Sequence, residues 1–133
     1  MEEHEQLPQK ALYSTNGAHR RHCLELKVRV KGEWLNALVD SGAEQNYFDP
    51  TTANRLKLPW RHKRTPYSVI NLEGTPFDYD NGVINYEIDH LKVFVEGKNQ
   101  GISFDVVPVE GHDLVLGYPW LRRFNPHFDW RTG

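Results

Sequence analysis

The sequence predicts a mainly β domain with two short helices. Three features point there. Apolar residues alternate with polar ones in several segments, Gly- and Pro-bearing turns separate those segments, and only two stretches carry helix-start chemistry. The chain has 133 residues, with 10 Gly and 8 Pro, which suits one small domain with many turns.

Residues 1–21 mix acids, Gln, Pro8, Gly17 and the basic patch His19-Arg20-Arg21-His22 without apolar period, and read as a mobile or extended tail. The domain occupies 22–133. Leu24, Leu26, Val28 and Val30 alternate with Cys23, Glu25, Lys27 and Arg29, the period of a half-buried strand. Lys31-Gly32-Glu33 supplies a turn. Trp34 to Val39 is a second, more buried strand running into Asp40-Ser41-Gly42-Ala43. Asp49-Pro50-Thr51 starts a short helix, because Asp caps and Pro suits the first turn. That helix ends near Leu58-Pro59. Strand signals return at Tyr67 to Leu72, and Glu73-Gly74-Thr75-Pro76 makes a hairpin tip. Val83 to Ile88 is a strand, Leu91, Val93 and Val95 alternate again, and Glu96-Gly97-Lys98-Asn99 turns the chain. Ile102, Phe104 and Val106 alternate once more. Leu114 to Gly117 is a short buried run. Pro119 to Phe124 is a helix closed by Asn125-Pro126, and Phe128-Asp129-Trp130 is a last strand.

Composition excludes several functions. Lys and Arg total 16 against 18 Asp and Glu, so no global charge draws the chain to nucleic acid or to an anionic membrane. No apolar run nears the roughly 20 residues of a membrane span. The acidic start, Met1-Glu2-Glu3-His4-Glu5, lacks the basic-then-apolar pattern of a secretory signal. The single Cys23 excludes an internal disulfide framework and a Cys-based zinc knuckle. His19 and His22 beside Cys23 fall short of the four clustered ligands of structural zinc. Ser41 is no nucleophile elbow, because Val39 and Ala43 stand where Gly is needed. Cys23 lies on a polar strand face with no acid partner indicated. Trp120, Trp130, Phe124 and Phe128 read as packing near a C-terminal helix.

The segment that carries chemistry is Leu38-Val39-Asp40-Ser41-Gly42-Ala43. An acid ends an apolar strand, where burial is costly without partners. A hydroxyl and a Gly amide follow as hydrogen-bond partners, and Gly permits a sharp turn. Taken alone, the tripeptide is weak evidence and more often marks a strand-end turn in which Asp accepts backbone bonds.

Its context is more specific. The apolar lead-in, the Gly-tipped hairpin and the later Leu-Gly run occur in order. The tail then reads Asp113-Leu114-Val115-Leu116-Gly117-Tyr118-Pro119-Trp120-Leu121, followed by Asn125-Pro126 and Asp129-Trp130. From Leu24 to Gly133 the chain resembles a retropepsin-like aspartic protease, most of all the protease domain of gypsy-type LTR retrotransposon polyproteins. The resemblance implies a closed β-barrel or sandwich lobe with a flap hairpin and a short C-terminal helix. It implies a cofactor-free, metal-free aspartic endopeptidase that processes a Gag-Pol-type polyprotein inside the cell, within retrotransposon particles in the cytoplasm.

Only one Asp-Ser/Thr-Gly motif is present, and the dyad of such a protease needs two carboxylates, so the resemblance implies a homodimer. Asp40 is then the catalytic carboxylate. Ser41 and Gly42 support the active-site loop and the dimer. Gly42, Ala43, Glu44 and Gln45 form the cleft floor, Leu72, Glu73, Gly74 and Thr75 the flap tip, and Val115 and Leu116 the side-chain pockets. The partner is an extended peptide, with no membrane and no direct nucleic acid. Tyr118 stands where viral relatives often carry an Arg that braces the active-site loop, so the brace must be built differently. Relatives also continue past the position of Gly133. The alternative is a catalytically silent, domesticated or monomeric binding module with the same fold. The Pro-Trp-Leu and Asp-Trp tail favours the transposon branch over the ubiquitin-shuttle retropepsins.

Overall fold

The computed structural model describes residues 9–10, 23–69 and 78–124. A two-residue strand, β1 (Gln9–Lys10), comes first. The predicted alternation then gives β2 (Cys23–Val30), and Lys31-Gly32 turns the chain into β3 (Glu33–Asp40). The turn residues have φ of 51° and 79°, the left-handed geometry whose twist matches a hairpin. β4 (Tyr47–Phe48) and helix α1 (Pro50–Arg55) follow, then β5 (Arg61–Val69), β6 (Val83–Val95), β7 (Lys98–Val106), β8 (Leu114–Leu116) and helix α2 (Tyr118–Phe124). Among the described residues no helix is long and apolar enough to cross a membrane.

The strands close on themselves. The order β6-β2-β3-β8-β4-β7 is completed by a direct β6–β7 pairing, which makes a barrel of six strands. Closure satisfies the edges that an open sheet would leave unpaired. β5 extends the sheet from β6, and β1 pairs with β5 in parallel at Ser68 and Val69. β8 is the key to the site. It lies between β3, to which it is parallel, and β4, to which it is antiparallel. Val39 therefore sits opposite Leu116, and the chain leaving β3 at Asp40 lies beside the chain leaving β8 at Gly117.

Two apolar clusters result. The barrel interior holds Val28, Val30, Leu35, Ala37, Val39, Phe48, Ile102, Phe104, Leu114, Leu116 and Trp120. Phe48 and Phe104 meet edge to face at 5.2 Å. The smaller cluster holds Ala43, Tyr47, Tyr67, Val69, Ile84, Val107, Val109 and Val115. α2 is tied back to the barrel by its buried Trp120, whose Nε1 donates to Gln100 Oε1 at 2.8 Å.

The architecture is the expected mainly β barrel with a short C-terminal helix. Three strands differ from expectation. β4 is only two residues long, too short to show an alternation in the sequence. β5 starts at Arg61 rather than Tyr67, because Arg61 to Thr65 are polar on both faces and largely exposed, which hides the strand period. β6 is continuous where the sequence suggested two strands. A bulge at Asp89-His90 shifts its register against β7, and His90 has φ 52°. Ser103 Oγ holds the bulge, accepting from His90 N at 3.1 Å and donating to Asp89 Oδ1 at 2.8 Å. That hydrogen bond, aided by Arg61, lowers the Asp89 pKa. β5 and β6 pair antiparallel on either side of the sequence-assigned flap tip. Leu72, Glu73, Gly74 and Thr75 themselves lie outside the described residues, as do Asn125-Pro126 and Phe128-Asp129-Trp130.

Asp49 shows how sequence chemistry sets the loops. Its Oδ2 accepts from Thr51 N and Thr52 N, capping α1, while Oδ1 accepts from Val109 N at 2.9 Å. Asp49→Ala removes the cap and leaves the Val109 amide without its acceptor. An expected loss of about 2 kcal/mol is measurable by urea unfolding.

Candidate active site

Asp40 is the last residue of β3 and is 4% exposed. Its position in the strand alternation matches Leu38, not Val39, so its side chain leaves the sheet away from the barrel interior. Gly42 N donates to Asp40 Oδ1 at 2.8 Å, and Ala43 N donates to the Asp40 carbonyl at 3.1 Å. The tight turn thus points an amide at the carboxylate and fixes its orientation. Ser41 is exposed, Gly42 half-buried and Ala43 fully buried. Glu44 is exposed and Gln45 half-buried on the outgoing loop.

The floor of this loop rests on the end of β8. Tyr118 N donates to the Ala43 carbonyl at 2.8 Å. Gly117 N donates to Asn46 Oδ1 at 2.8 Å. Asn46 is buried, and its Nδ2 donates to the Ser103 carbonyl at 3.1 Å. Its own carbonyl accepts from Asp105 N at 2.9 Å. One amide side chain therefore joins β8, β7 and the active-site loop. This is the brace in a chain that has Tyr118 in place of an Arg. Tyr118 contributes its backbone and leaves its ring half exposed.

The expected pocket residues fall on opposite sides of β8. Val115 joins the smaller cluster with Ala43, whereas Leu116 faces the barrel interior. Both are fully buried in the single chain.

A second polar group adjoins the first. Tyr67 OH donates to Asp105 Oδ2 at 2.6 Å. Lys63 Nζ reaches Asp105 Oδ1 at 2.8 Å and Glu87 Oε1 at 3.3 Å. Burial, then the neighbouring Asp105 charge, pushes the Tyr67 phenol far above its ordinary pKa, so it stays a neutral donor. The group links β5, which leads into the flap segment, with β7 and so with Asn46. Asn46, Lys63 and Asp105 were not apparent as site residues from sequence. Asp105 left one trace, an acid within the apolar stretch Phe104 to Val109. Asn46 left none. Among the described residues no group of three or more His, Cys, Asp or Glu could hold a metal ion.

The comparisons agree with this fold. Residues 36–133 match the family model of the PEG10/RTL1 protease domain. The fold is similar to the crystal structure of the retroviral protease-like domain of Ddi1 from Leishmania major. The TM-score is 0.55 at 22% identity, over 80% of this chain and 76% of that one. With the matched residues spanning the Asp40 loop, its β8 support and the C-terminal helix, this chain belongs to the PEG10/RTL1 protease domain family and has the retropepsin-like aspartic protease fold.

Proposed function

We propose that the chain is an aspartic endopeptidase that works as a homodimer, each subunit giving one Asp40. The observation that carries this reading is the buried Asp40 carboxylate, held by the Gly42 amide at 2.8 Å in a loop braced from β8. Two such carboxylates about 3 Å apart share one proton, because both cannot ionise together. The ionised member takes a proton from water, and the protonated member donates to the carbonyl oxygen as the tetrahedral intermediate forms. The dyad titrates as a pair. Ser41 ties the two loops together across the axis. The substrate lies extended, hydrogen-bonded to Gly42 and flanked by Glu44 and Gln45, with Ala43 and Val115 packed beneath that floor and Leu72 to Thr75 closing over it. The substrate in this reading is a polyprotein segment adjoining the domain, cleaved inside the cell.

A binding module with no turnover is the second reading. What favours it is that the matched family and the similar solved structure are domesticated or non-retrotransposon proteins.

A fluorogenic peptide taken from the flanking polyprotein separates the two, assayed over a range of protein concentrations. The endopeptidase reading expects a rate that rises with the square of concentration below the dimer dissociation constant. It also expects inhibition by pepstatin-type compounds and an acidic-to-neutral optimum. A specific activity independent of concentration in a protein that sediments as a monomer overturns the shared dyad. No turnover at any concentration favours the binding module.

A further inference from the structure

Far from Asp40, the outer wall of the barrel carries an open cavity of about 350 Å³ lined by Arg29, Lys31, Gly32, Lys92, Phe94 and Asn99. The strand registers explain how it forms. Arg29 of β2 lies opposite Trp34 of β3 on one side and Phe94 of β6 on the other, and Phe94 lies opposite Asn99 of β7. Trp34, Arg29, Phe94 and Asn99 thus make one row across four strands. Lys31, in the turn that follows β2, lines the same cavity as Lys92 of β6. Lys92 in turn lies opposite Gly101, where a Cβ would meet nothing within 4 Å.

Two properties of this wall suit a ligand. Among the described residues, none lining the cavity is acidic and no ion pair involves Arg29, Lys31 or Lys92. Lys31 Nζ donates to the Leu56 carbonyl at 3.3 Å. Glu33, the acid at the same turn, is engaged by Arg55. Three cations lining one cavity gain from a bound anion. The second property is an exposed ring. Trp34 is 54% exposed, although a tryptophan is usually mostly covered. It stands edge-on to Phe94 at 6.4 Å, with the Arg29 guanidinium 5.6 Å from its centroid.

We propose that this wall is a binding site for single-stranded nucleic acid, with phosphates on Lys31, Lys92 and Arg29 and a base stacked on Trp34. A phosphate ion or an acidic peptide would satisfy the cations but has no use for the indole. Cations beside an exposed aromatic ring are the pair of features that a single strand uses. The near-zero net charge does not oppose this, since the field is local. The wall is also separate from the peptide cleft, because Trp34 and Asp40 lie about 20 Å apart along β3.

Fluorescence anisotropy tests the site with labelled 12-mers of uridylate and thymidylate, and with a labelled 12-residue polyglutamate as the acidic-peptide arm. The two oligonucleotides are expected to bind and polyglutamate to bind far more weakly. With three phosphate contacts, affinity should fall roughly twenty-fold between about 50 and 200 mM salt. Trp34→Ala should weaken oligonucleotide binding about ten-fold and remove the accompanying tryptophan quenching. Lys31→Glu combined with Lys92→Glu should abolish binding and leave peptide cleavage unchanged. A preference for uridylate over thymidylate identifies RNA as the ligand, and the reverse identifies DNA. Equal binding of polyglutamate, binding that survives the double charge reversal, or no oligonucleotide binding each overturn the proposal.

Discussion

Asp40→Asn is expected to abolish peptide-bond cleavage while the fold survives. The replacement keeps the size and shape of the side chain, and an amide oxygen can still accept from Gly42 N, which now sits 2.8 Å from Asp40 Oδ1. The turn at Ser41-Gly42 and the β3–β8 pairing therefore stay in place. What disappears is the chemistry. A primary amide neither takes a proton from water nor delivers one at neutral pH. In a homodimer the single substitution removes both members of the pair at once. Because each proton transfer contributes typically 10²- to 10⁴-fold, the rate should fall by at least about 10⁴-fold. A cleavage assay beside sedimentation and thermal unfolding separates these effects. Retained cleavage would overturn the assignment of Asp40. Lost cleavage with lost folding would leave the role to be tested with Asp40→Glu, which keeps the charge but displaces it.

The same residues show why part of the molecule was legible in the sequence and part was not. Val28, Val30, Leu35, Ala37 and Val39 announce their strands because one face of each strand meets the barrel interior and the other meets water. Asp49-Pro50 announces a helix because cap and first-turn chemistry is local. Asp40 was found through its neighbours in the chain. The brace was not, because Asn46 acts on Gly117 and Ser103, which are distant in sequence and adjacent only once β8 has entered between β3 and β4. The Lys63-Tyr67-Asp105 group was hidden for a related reason. Its members lie on two strands, β5 and β7, that each look ordinary, and their meaning comes from meeting in one place. Local chemistry is written in order along the chain, and cross-sheet hydrogen bonding is not.

Gly117→Ala is expected to damage both stability and activity, through sterics alone. A Cβ at this position would overlap the Gln45 carbonyl oxygen and lie 2.7 Å from the Ala43 carbonyl oxygen. Both obstacles are backbone, so no side chain can swing away to relieve them. The Ala43 carbonyl also accepts from Tyr118 N, and Gly117 N itself is held by Asn46 Oδ1. Relief therefore requires the loop from Ala43 to Asn46 to separate from the end of β8, breaking both bonds. Overpacking of this kind destabilises by about 3 kcal/mol, which thermal unfolding would register clearly. Because Asp40 is joined to Ala43 by a backbone hydrogen bond of 3.1 Å, the carboxylate moves with the loop. A displacement near 1 Å in a catalytic group costs about 10²-fold in rate. If the protein retains full activity and an unchanged melting temperature, the close approach of β8 to the active-site loop is not what holds Asp40. If stability falls but the remaining folded protein cleaves at the normal rate, Gly117 matters to packing and the carboxylate is positioned by the Gly42 amide alone. The expected result is loss of both, with Asn46→Ala giving a milder version that removes the same brace without the overlap.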